Sequence, residues 1–157
     1  GVSVIHNPTS NLKLGSGFAP IRAMMDKGIN VTLGTDGTAS NNNLNMFEEM
    51  HLAAMIARGS SGNAGEVSPK EIFKMATVNG AISQGRTDTG VIKKGNKADL
   101  AVVDFNRPHL VPCFDVLANL VFSAQGSDVV LTMVDGDVIY RDGKYIDPMT
   151  LSELFFA

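Results

Sequence analysis

Short apolar runs that alternate with helix-like segments are the feature of this sequence that most constrains its fold. Residues 2–5 and 30–33 are β-branched or apolar runs, and each precedes a loop of turn-forming residues. Segments with helical spacing or helix end signals lie at 20–27, at 44–58 and from Ser68 onward. This order predicts an α/β fold with βα units in a parallel sheet, either a closed barrel or an open doubly wound sheet.

Capping residues mark the ends of these helices. Ser68, Pro69 and Glu71 form a capping box with proline at the first helical position, and Gly28 is placed to end the helix at 20–27. Residues 6–11, by contrast, are dense in turn formers and predict a loop. Four methionines at helical spacing predict core packing: Met24, Met25, Met50 and Met55.

The sequence changes character near residue 87. Short β segments follow, with Asp135-Gly136 and Asp142-Gly143 as hairpin turns, at 90–92, 100–104, 129–134 and 138–140. Two further helices are expected at 112–123 and 148–156. We therefore expect βα units in residues 1–86 and a β-rich domain with a C-terminal helix in residues 87–157.

Charge and cysteine content narrow the possible partners and the compartment. The 13 basic and 16 acidic residues give a net charge of -3, and no run of Lys or Arg occurs. The sequence therefore lacks the clustered positive charge that is typical of binding to nucleic acids or membrane surfaces, which favours a small-molecule partner. The single cysteine, Cys113, and the lack of a signal peptide or membrane-length span predict a cytoplasmic protein. Residues 1–5 resemble the inside of a strand, so we expect the chain to be the C-terminal part of a longer protein.

Asp36 is the strongest candidate for a functional residue. It follows the run 30–33 and precedes a loop and a helix, which places it at the carboxyl end of a strand, where parallel α/β folds carry catalytic groups. His6 follows the run 2–5 in the same way, so both side chains could serve a metal or acid–base site. The alternatives are structural: Asp-Gly is a common turn pair, and a single histidine often only completes hydrogen bonds.

Other chemical motifs are weaker. His51 lies within an amphipathic helix and His109 in a loop of the β-rich part, and both are expected to be structural. The sequence contains no H-x-H or H-E-x-x-H pair, although a catalytic zinc normally needs three protein ligands. It has no P-loop, and Cys113 has no evident activating base.

Five strings, in this order and spacing, closely resemble the amidohydrolase superfamily, and in particular its 5-methylthioadenosine/S-adenosylhomocysteine deaminase and chlorohydrolase branch. They are HNPTSNLKL at 6–14, LGTDGTASNN at 33–42, LNMFEEM at 44–50, ATVNGA at 76–81 and GVIKKGNKADL at 90–100. The resemblance covers nearly the whole chain. It implies the C-terminal part of a (β/α)8 TIM-type metal-dependent hydrolase barrel, followed by a small β-rich composite sandwich domain.

The resemblance also implies the site. Asp36 takes the position of the aspartate that ligates one divalent metal, zinc or alternatively iron, and handles the proton of the attacking water. The remaining histidine ligands and the catalytic Glu and His are expected in the missing N-terminal part of the same protein. Asp36, His6 and Ser40 are expected to contact substrate, with His6 shaping the pocket from its rim. Thr35, Ser40 and Asn41 are expected to orient Asp36 or to touch substrate, and a purely structural role in the loop is the alternative.

For function, the resemblance implies an enzyme that hydrolytically deaminates a purine-like substrate, 5-methylthioadenosine or S-adenosylhomocysteine. The alternatives are a guanine or cytosine deaminase, a triazine chlorohydrolase, or a non-catalytic packing module. The chain alone is expected to be inactive and to hold little metal. The full protein is expected to form a homo-oligomer.

Overall fold

The computed structural model describes residues 1–146, and its first part consists of two strands and six helices. Two 4-residue strands, β1 and β2, are parallel, with Ser3 opposite Asn30 and His6 opposite Leu33. The elements in chain order are β1 (Ser3–His6), α1 (Pro8–Lys13), α2 (Ile21–Asp26), β2 (Asn30–Leu33), α3 (Thr38–Asn41), α4 (Met46–Ser61), α5 (Pro69–Ala76) and α6 (Val78–Ser83). The predicted α/β order and the parallel pairing are confirmed.

The predicted loop at 6–11 is wrong, because α1 begins there with Pro8 at its first position. Proline has the backbone φ of a helix and lacks only an N–H that a first turn leaves unbonded, so it starts this short helix well. The polar residues after Pro8 led to the loop prediction, because Thr, Ser and Asn favour turns.

The capping signals were more reliable. In α5, the Ser68 hydroxyl accepts from the Glu71 backbone N–H, and the Glu71 carboxylate accepts from the Ser68 backbone N–H. In α4, the Asn45 side chain accepts from Phe47 N, and Gly62 ends the helix with a left-handed φ of 68°. The helix predicted at 44–58 is therefore shifted toward the C-terminus at both ends.

The hydrophobic core lies where α4 and α5 pack against β2. Its buried residues are Ile21, Val31, Leu33, Met50, Ala53, Ala54, Ala57, Val67, Ile72, Met75 and Val121. Met50 is buried and Met24 and Met25 pack against the core, as predicted, whereas Met55 is 50% exposed and does not belong to it. Helical spacing places Met55 on the flank of α4, and only the packing shows which flank faces solvent.

The second part of the chain contains an antiparallel sheet with the order β3, β4, β5, β6. Its strands are β3 (Leu100–Val103), β4 (Val129–Val134), β5 (Asp137–Arg141) and β6 (Lys144–Tyr145). Both predicted Asp-Gly turns are confirmed, with φ of 52° and 95° at Asp135 and Gly136 and of 47° and 83° at Asp142 and Gly143. Two successive positive φ values match the twist of a tight hairpin.

Two other predictions for this part need correction. Residues 90–92 form no strand, because Gly90 has a positive φ of 84° where a strand needs a negative one. The chain there also passes close to α6, since a Cβ at Gly90 would lie 2.9 Å from Ala81 Cβ. The helix expected at 112–123 is shorter: α7 (Val116–Phe122) begins only after Asp115, whose carboxylate accepts from Leu117 N and Ala118 N. The helix predicted at 148–156 lies outside the described residues.

Helix α7 belongs to the packing of the first part. It contacts α4 and α5, its Val121 lies in the core, and the Arg58 guanidinium of α4 lies 4.8 Å from the centre of the Phe122 ring. The division into residues 1–86 and 87–157 remains a prediction. Within the described residues, no helix has the length and apolar character needed to cross a membrane.

Candidate active site

The candidate site lies at the carboxyl end of the parallel pair. Gly34 N donates to His6 O at 3.0 Å and extends the pairing one residue beyond β2. A Cβ at Gly34 would lie 2.6 Å from Asn7 Oδ1 and 2.8 Å from Ile5 Cγ2, so only glycine fits without displacement. The two loops that follow β1 and β2 are therefore held at one edge of the sheet.

Asp36 is exposed at this edge and adopts a left-handed backbone with φ of 60°. Its Oδ2 accepts from the Ser10 hydroxyl at 2.7 Å, and its Oδ1 accepts from Gly37 N at 2.8 Å. The Ser10 hydrogen bond, the nearby Ser40 hydroxyl and the Gly37 amide, in that order, hold the pKa of Asp36 below its usual value. The side chain is thus an oriented anion at neutral pH, and each oxygen has a further lone pair available.

Ser40 lies in α3 and acts mainly within the loop. Its hydroxyl donates to Gly37 O at 3.1 Å, which tightens the turn after Asp36. The Ser40 side chain also lowers the pKa of Asp36, second to the Ser10 hydrogen bond. Its predicted role in binding substrate remains a prediction.

His6 is in a different environment from Asp36. Its side chain is 4% exposed, and Nδ1 has no hydrogen-bond partner within the described residues. Burial lowers the pKa of His6, and the negative charge of Glu49 opposes this shift only in part. The imidazole is therefore neutral at pH 7, and no hydrogen bond joins it to Asp36 in residues 1–146. The predicted contact between His6 and substrate remains a prediction.

Three residues that support the site were missed or undervalued in the sequence. Ser10 is buried and holds Asp36, although 26 residues separate the two. Asn41 Nδ2 donates to Thr35 O at 2.6 Å and to Glu49 Oε1 at 2.7 Å. Glu49 could have been recognised from the sequence as a buried carboxylate. It lies between Met46 and Ala53 at helical spacing, on an apolar helix face where a carboxylate is unusual.

The other two histidines make structural contacts, as expected. His51 meets the Phe122 ring edge-on with the ring centres 6.3 Å apart. His109 Nε2 lies 2.9 Å from Asp128 Oδ2, and that carboxylate also accepts from Gln125 N.

The donor set fits a metal site only in part. Asp36 offers anionic oxygen donors of the kind that zinc and harder divalent cations accept. Among residues 1–146, however, no three His, Cys, Asp or Glu side chains form a group that could hold a metal ion. The assignment of Asp36 as a metal ligand therefore remains a prediction.

A comparison with models of protein families identifies the family of this chain. Residues 1–139 match the model of the amidohydrolase family. The chain belongs to the amidohydrolase family. The resemblance in the five strings is thereby confirmed.

This amidohydrolase chain is similar to curated relatives that are named deaminases. It is 56% identical over 138 residues to the 5'-deoxyadenosine deaminase of Methanosarcina acetivorans, covering 88% of this chain and 32% of the relative. It is 53% identical over 150 residues to the 5-methylthioadenosine/S-adenosylhomocysteine deaminase of Acetivibrio thermocellus, covering 94% of this chain and 35% of the relative. The chain spans about a third of the length of the curated relatives it matches.

Solved structures show the same similarity in three dimensions. An adenosine deaminase from Xanthomonas campestris with bound zinc superposes with a TM-score of 0.93 at 37% identity, covering 98% of this chain and 35% of that chain. A zinc complex of atrazine chlorohydrolase from Arthrobacter aurescens gives 0.87 at 33% identity, covering 93% and 33%. Guanine deaminase of E. coli gives 0.79 at 29% identity, covering 89% and 34%. The α/β fold is that of amidohydrolases.

Proposed function

We propose that this chain is part of a longer metal-dependent amidohydrolase that hydrolytically deaminates adenosine-type nucleosides. The observation that carries the proposal is Asp36, an ionised carboxylate oriented by Ser10 and Gly37 at the carboxyl end of a parallel strand. The relatives named as deaminases of 5'-deoxyadenosine and of 5-methylthioadenosine or S-adenosylhomocysteine support this substrate class. In the reaction, water adds to the ring carbon that bears the amino group, the C–N bond breaks, and ammonia leaves.

Asp36 is the residue of this chain that would hold the metal, for which zinc is the candidate. When bound, such an ion lowers the pKa of a water molecule and so supplies a nucleophile at neutral pH. Asp36 itself accepts the proton of the attacking water on a carboxylate oxygen and passes it to the departing amine. The Ser10 hydroxyl and Gly37 amide keep this carboxylate in one orientation throughout.

His6 and Ser40 are proposed to shape the substrate pocket. A neutral imidazole has one donor and one acceptor nitrogen, which suits a purine ring. His6 Nδ1, which has no hydrogen-bond partner within residues 1–146, is available for such a contact when the side chain or its neighbours shift on binding. Ser40 contributes through the turn that follows Asp36.

The remaining proposals concern the whole protein. Residues 1–86 are proposed to contribute the last βα units of a TIM-type barrel, and residues 87–157 to contribute to a composite β-sandwich. The other metal ligands and the acid–base residues would then lie in the part of the protein outside this chain, so the chain alone would be inactive. A homo-oligomer in the cytoplasm is the proposed form and location.

The test uses the full-length enzyme and the Asp36→Asn variant. Ammonia release should fall by about 10²- to 10⁴-fold, because the variant loses the anionic proton acceptor. The matched control is Asp26→Asn, an exposed aspartate paired with Arg22 on the surface. Near-normal turnover in Asp36→Asn would contradict the assigned role.

A substrate panel separates the alternatives. Adenosine-type thioethers and 5'-deoxyadenosine should be turned over faster than guanine, cytosine or a chlorinated triazine. A preference for guanine or for the triazine would favour the chemistry of the other structural neighbours. If purified full-length protein neither bound metal nor released ammonia from any of these compounds, a non-catalytic packing role would replace the proposal.

A further inference from the structure

Glu49 is a buried acidic residue for which the proposed reaction gives no direct role. It lies in the first turn of α4, and only 1% of its surface is exposed. A buried carboxylate is costly unless hydrogen bonds replace the lost water. Here Oε2 accepts from Thr9 N at 3.1 Å and Oε1 accepts from Asn41 Nδ2 at 2.7 Å.

Both partners of Glu49 are connected to Asp36. On one side, Thr9 precedes Ser10, whose hydroxyl donates to Asp36 Oδ2 at 2.7 Å. On the other side, the Asn41 amide that donates to Glu49 also donates to Thr35 O at 2.6 Å, one residue before Asp36. Glu49 therefore lies behind the candidate site. One short route connects it to the Asp36 carboxylate through Ser10, and a second connects it to the backbone next to Asp36 through Asn41.

Both side-chain oxygens of residue 49 must accept hydrogen bonds, because both of their partners are donors. Thr9 N can only donate. The Asn41 amide is fixed in its orientation, because its Oδ1 accepts from Asn43 N at 3.2 Å while its Nδ2 donates to Thr35 O at 2.6 Å. A glutamine at position 49 has the same size but would direct its NH2 group at one of these donors.

We propose that Glu49 is a positioning residue that holds the loop carrying Asp36 in its metal-binding conformation. The inference rests on the proposed function, since it assigns Glu49 a role through Asp36. Residues outside the ligand set that orient a metal ligand commonly change metal affinity when replaced. The left-handed backbone of Asp36, with φ of 60°, gives the loop a conformation that needs such support.

The first test compares Glu49→Gln with Glu48→Gln in the full-length enzyme. The two variants remove the same charge from the same helical turn. Glu48, however, is partly exposed, and its side chain bonds only to Asn43 in the part of the chain that the structure describes. Zinc affinity, measured by competition with a chelator, should fall by about 10- to 100-fold in Glu49→Gln and stay unchanged in Glu48→Gln. The absorption spectrum of the cobalt-substituted enzyme should shift in Glu49→Gln alone, because the coordination geometry changes.

A second measurement needs no metal. In the metal-free full-length protein, amide hydrogen exchange of residues 35–43 should be faster in Glu49→Gln than in wild type, while α5 remains as protected as before. If Glu49→Gln fails to fold, Asn41→Ala serves instead: it removes the donor to Thr35 O and leaves the Thr9 bond intact, and it should give the same changes.

The outcomes separate the two hypotheses. A lower melting temperature with unchanged zinc affinity, cobalt spectrum and loop exchange would mean that Glu49 only stabilises the fold, and would overturn the inference. If Asp36→Asn also left zinc affinity and turnover unchanged, the proposed function would fail first. If Asp36→Asn abolished both while Glu49→Gln changed neither of them nor the loop exchange, only the role of Glu49 would fail.

Discussion

The two sheets of this chain are stabilised in different ways. In the parallel pair, three of the four residues of β2 are buried, and helices α4 and α5 cover the strand. In the antiparallel sheet, by contrast, β4 and β5 contain only intermediate and exposed residues, and no described residue of β3–β6 belongs to the buried core. The first sheet is held by packing between residues far apart in sequence. In the second sheet, hairpin turns join β4 to β5 and β5 to β6, and only β3 pairs with a strand that is distant in sequence.

This difference also explains where the candidate site lies. Asp36 is exposed, but Ser10, which donates a hydrogen bond to it, is buried, and so is Glu49 one contact further away. A well-packed region can hold a charged side chain in one orientation, whereas a sheet with little burial offers less support. Substitutions in the packed region should therefore have the larger effects on stability.

The largest effect is expected for Ile72→Ala. Ile72 is fully buried between α5 and the core, so its truncation should lower the free energy of unfolding by about 2–5 kcal/mol. Ile139→Ala is the matched change in the antiparallel sheet, where Ile139 is 38% exposed, and it should cost less than about 1 kcal/mol. Chemical denaturation of this chain by itself measures both. An equal loss in the two variants would show that residues outside the described part cover the sheet, and the contrast would no longer hold.

Gly34→Ala should have the next largest effect. Its Cβ would lie 2.6 Å from Asn7 Oδ1, so the two loops at the site would move apart at a cost of about 1–3 kcal/mol. Gly37→Ala is the control, since a Cβ there meets nothing within 4 Å and its φ is -80°. Thermal unfolding of both variants checks this, and equal midpoints would contradict the close approach at Gly34.

Gly143→Ala tests the turn chemistry of the antiparallel sheet. Gly143 has φ of 83° and open space around it, so alanine should destabilise by about 1 kcal/mol through backbone strain alone. Gly59→Ala is the counterpart inside α4, also with open space, and should instead stabilise by about 0.5–1 kcal/mol. The unfolding midpoint should fall in Gly143→Ala and rise in Gly59→Ala. Midpoints that shift in the same direction in the two variants would contradict this prediction.

The smallest effect is expected at the start of α5. The Ser68 backbone N–H is the main group that lowers the pKa of Glu71 from 4.5 to about 2, and Arg22 adds to the shift. Because the folded-state pKa lies below the unfolded value, the ionised carboxylate stabilises the fold above about pH 4.5, and this contribution disappears as the pH falls toward 2.

The variant Glu71→Gln should accordingly lower the free energy of unfolding by about 0.3–1 kcal/mol at pH 7. The difference from wild type should shrink as the pH is lowered. Denaturation of the metal-free protein between pH 2 and 7 measures it, with Glu66→Gln, at a partly exposed position, as control. A difference that stayed constant with pH would contradict the role of the ionised carboxylate.

Much of the fold was determined by local sequence signals. The β2 strand lies at 30–33 as predicted, the capping box at Ser68 starts α5, and both Asp-Gly turns are present. The position of Asp36 at a strand end followed from the same reasoning. These features depend on residues within a few positions of one another, so the sequence pattern is sufficient to locate them.

Only the tertiary structure decided the rest. The helix at Pro8–Lys13, the exposed position of Met55 and the absence of a strand at 90–92 depend on which surfaces meet. The same holds for the support of Asp36, since Ser10 is 26 residues away from it and Thr9 is 40 residues away from Glu49. Asp36 could be identified from its own neighbours in sequence, but the side chains that orient it could not, because folding brings them together from distant parts of the chain.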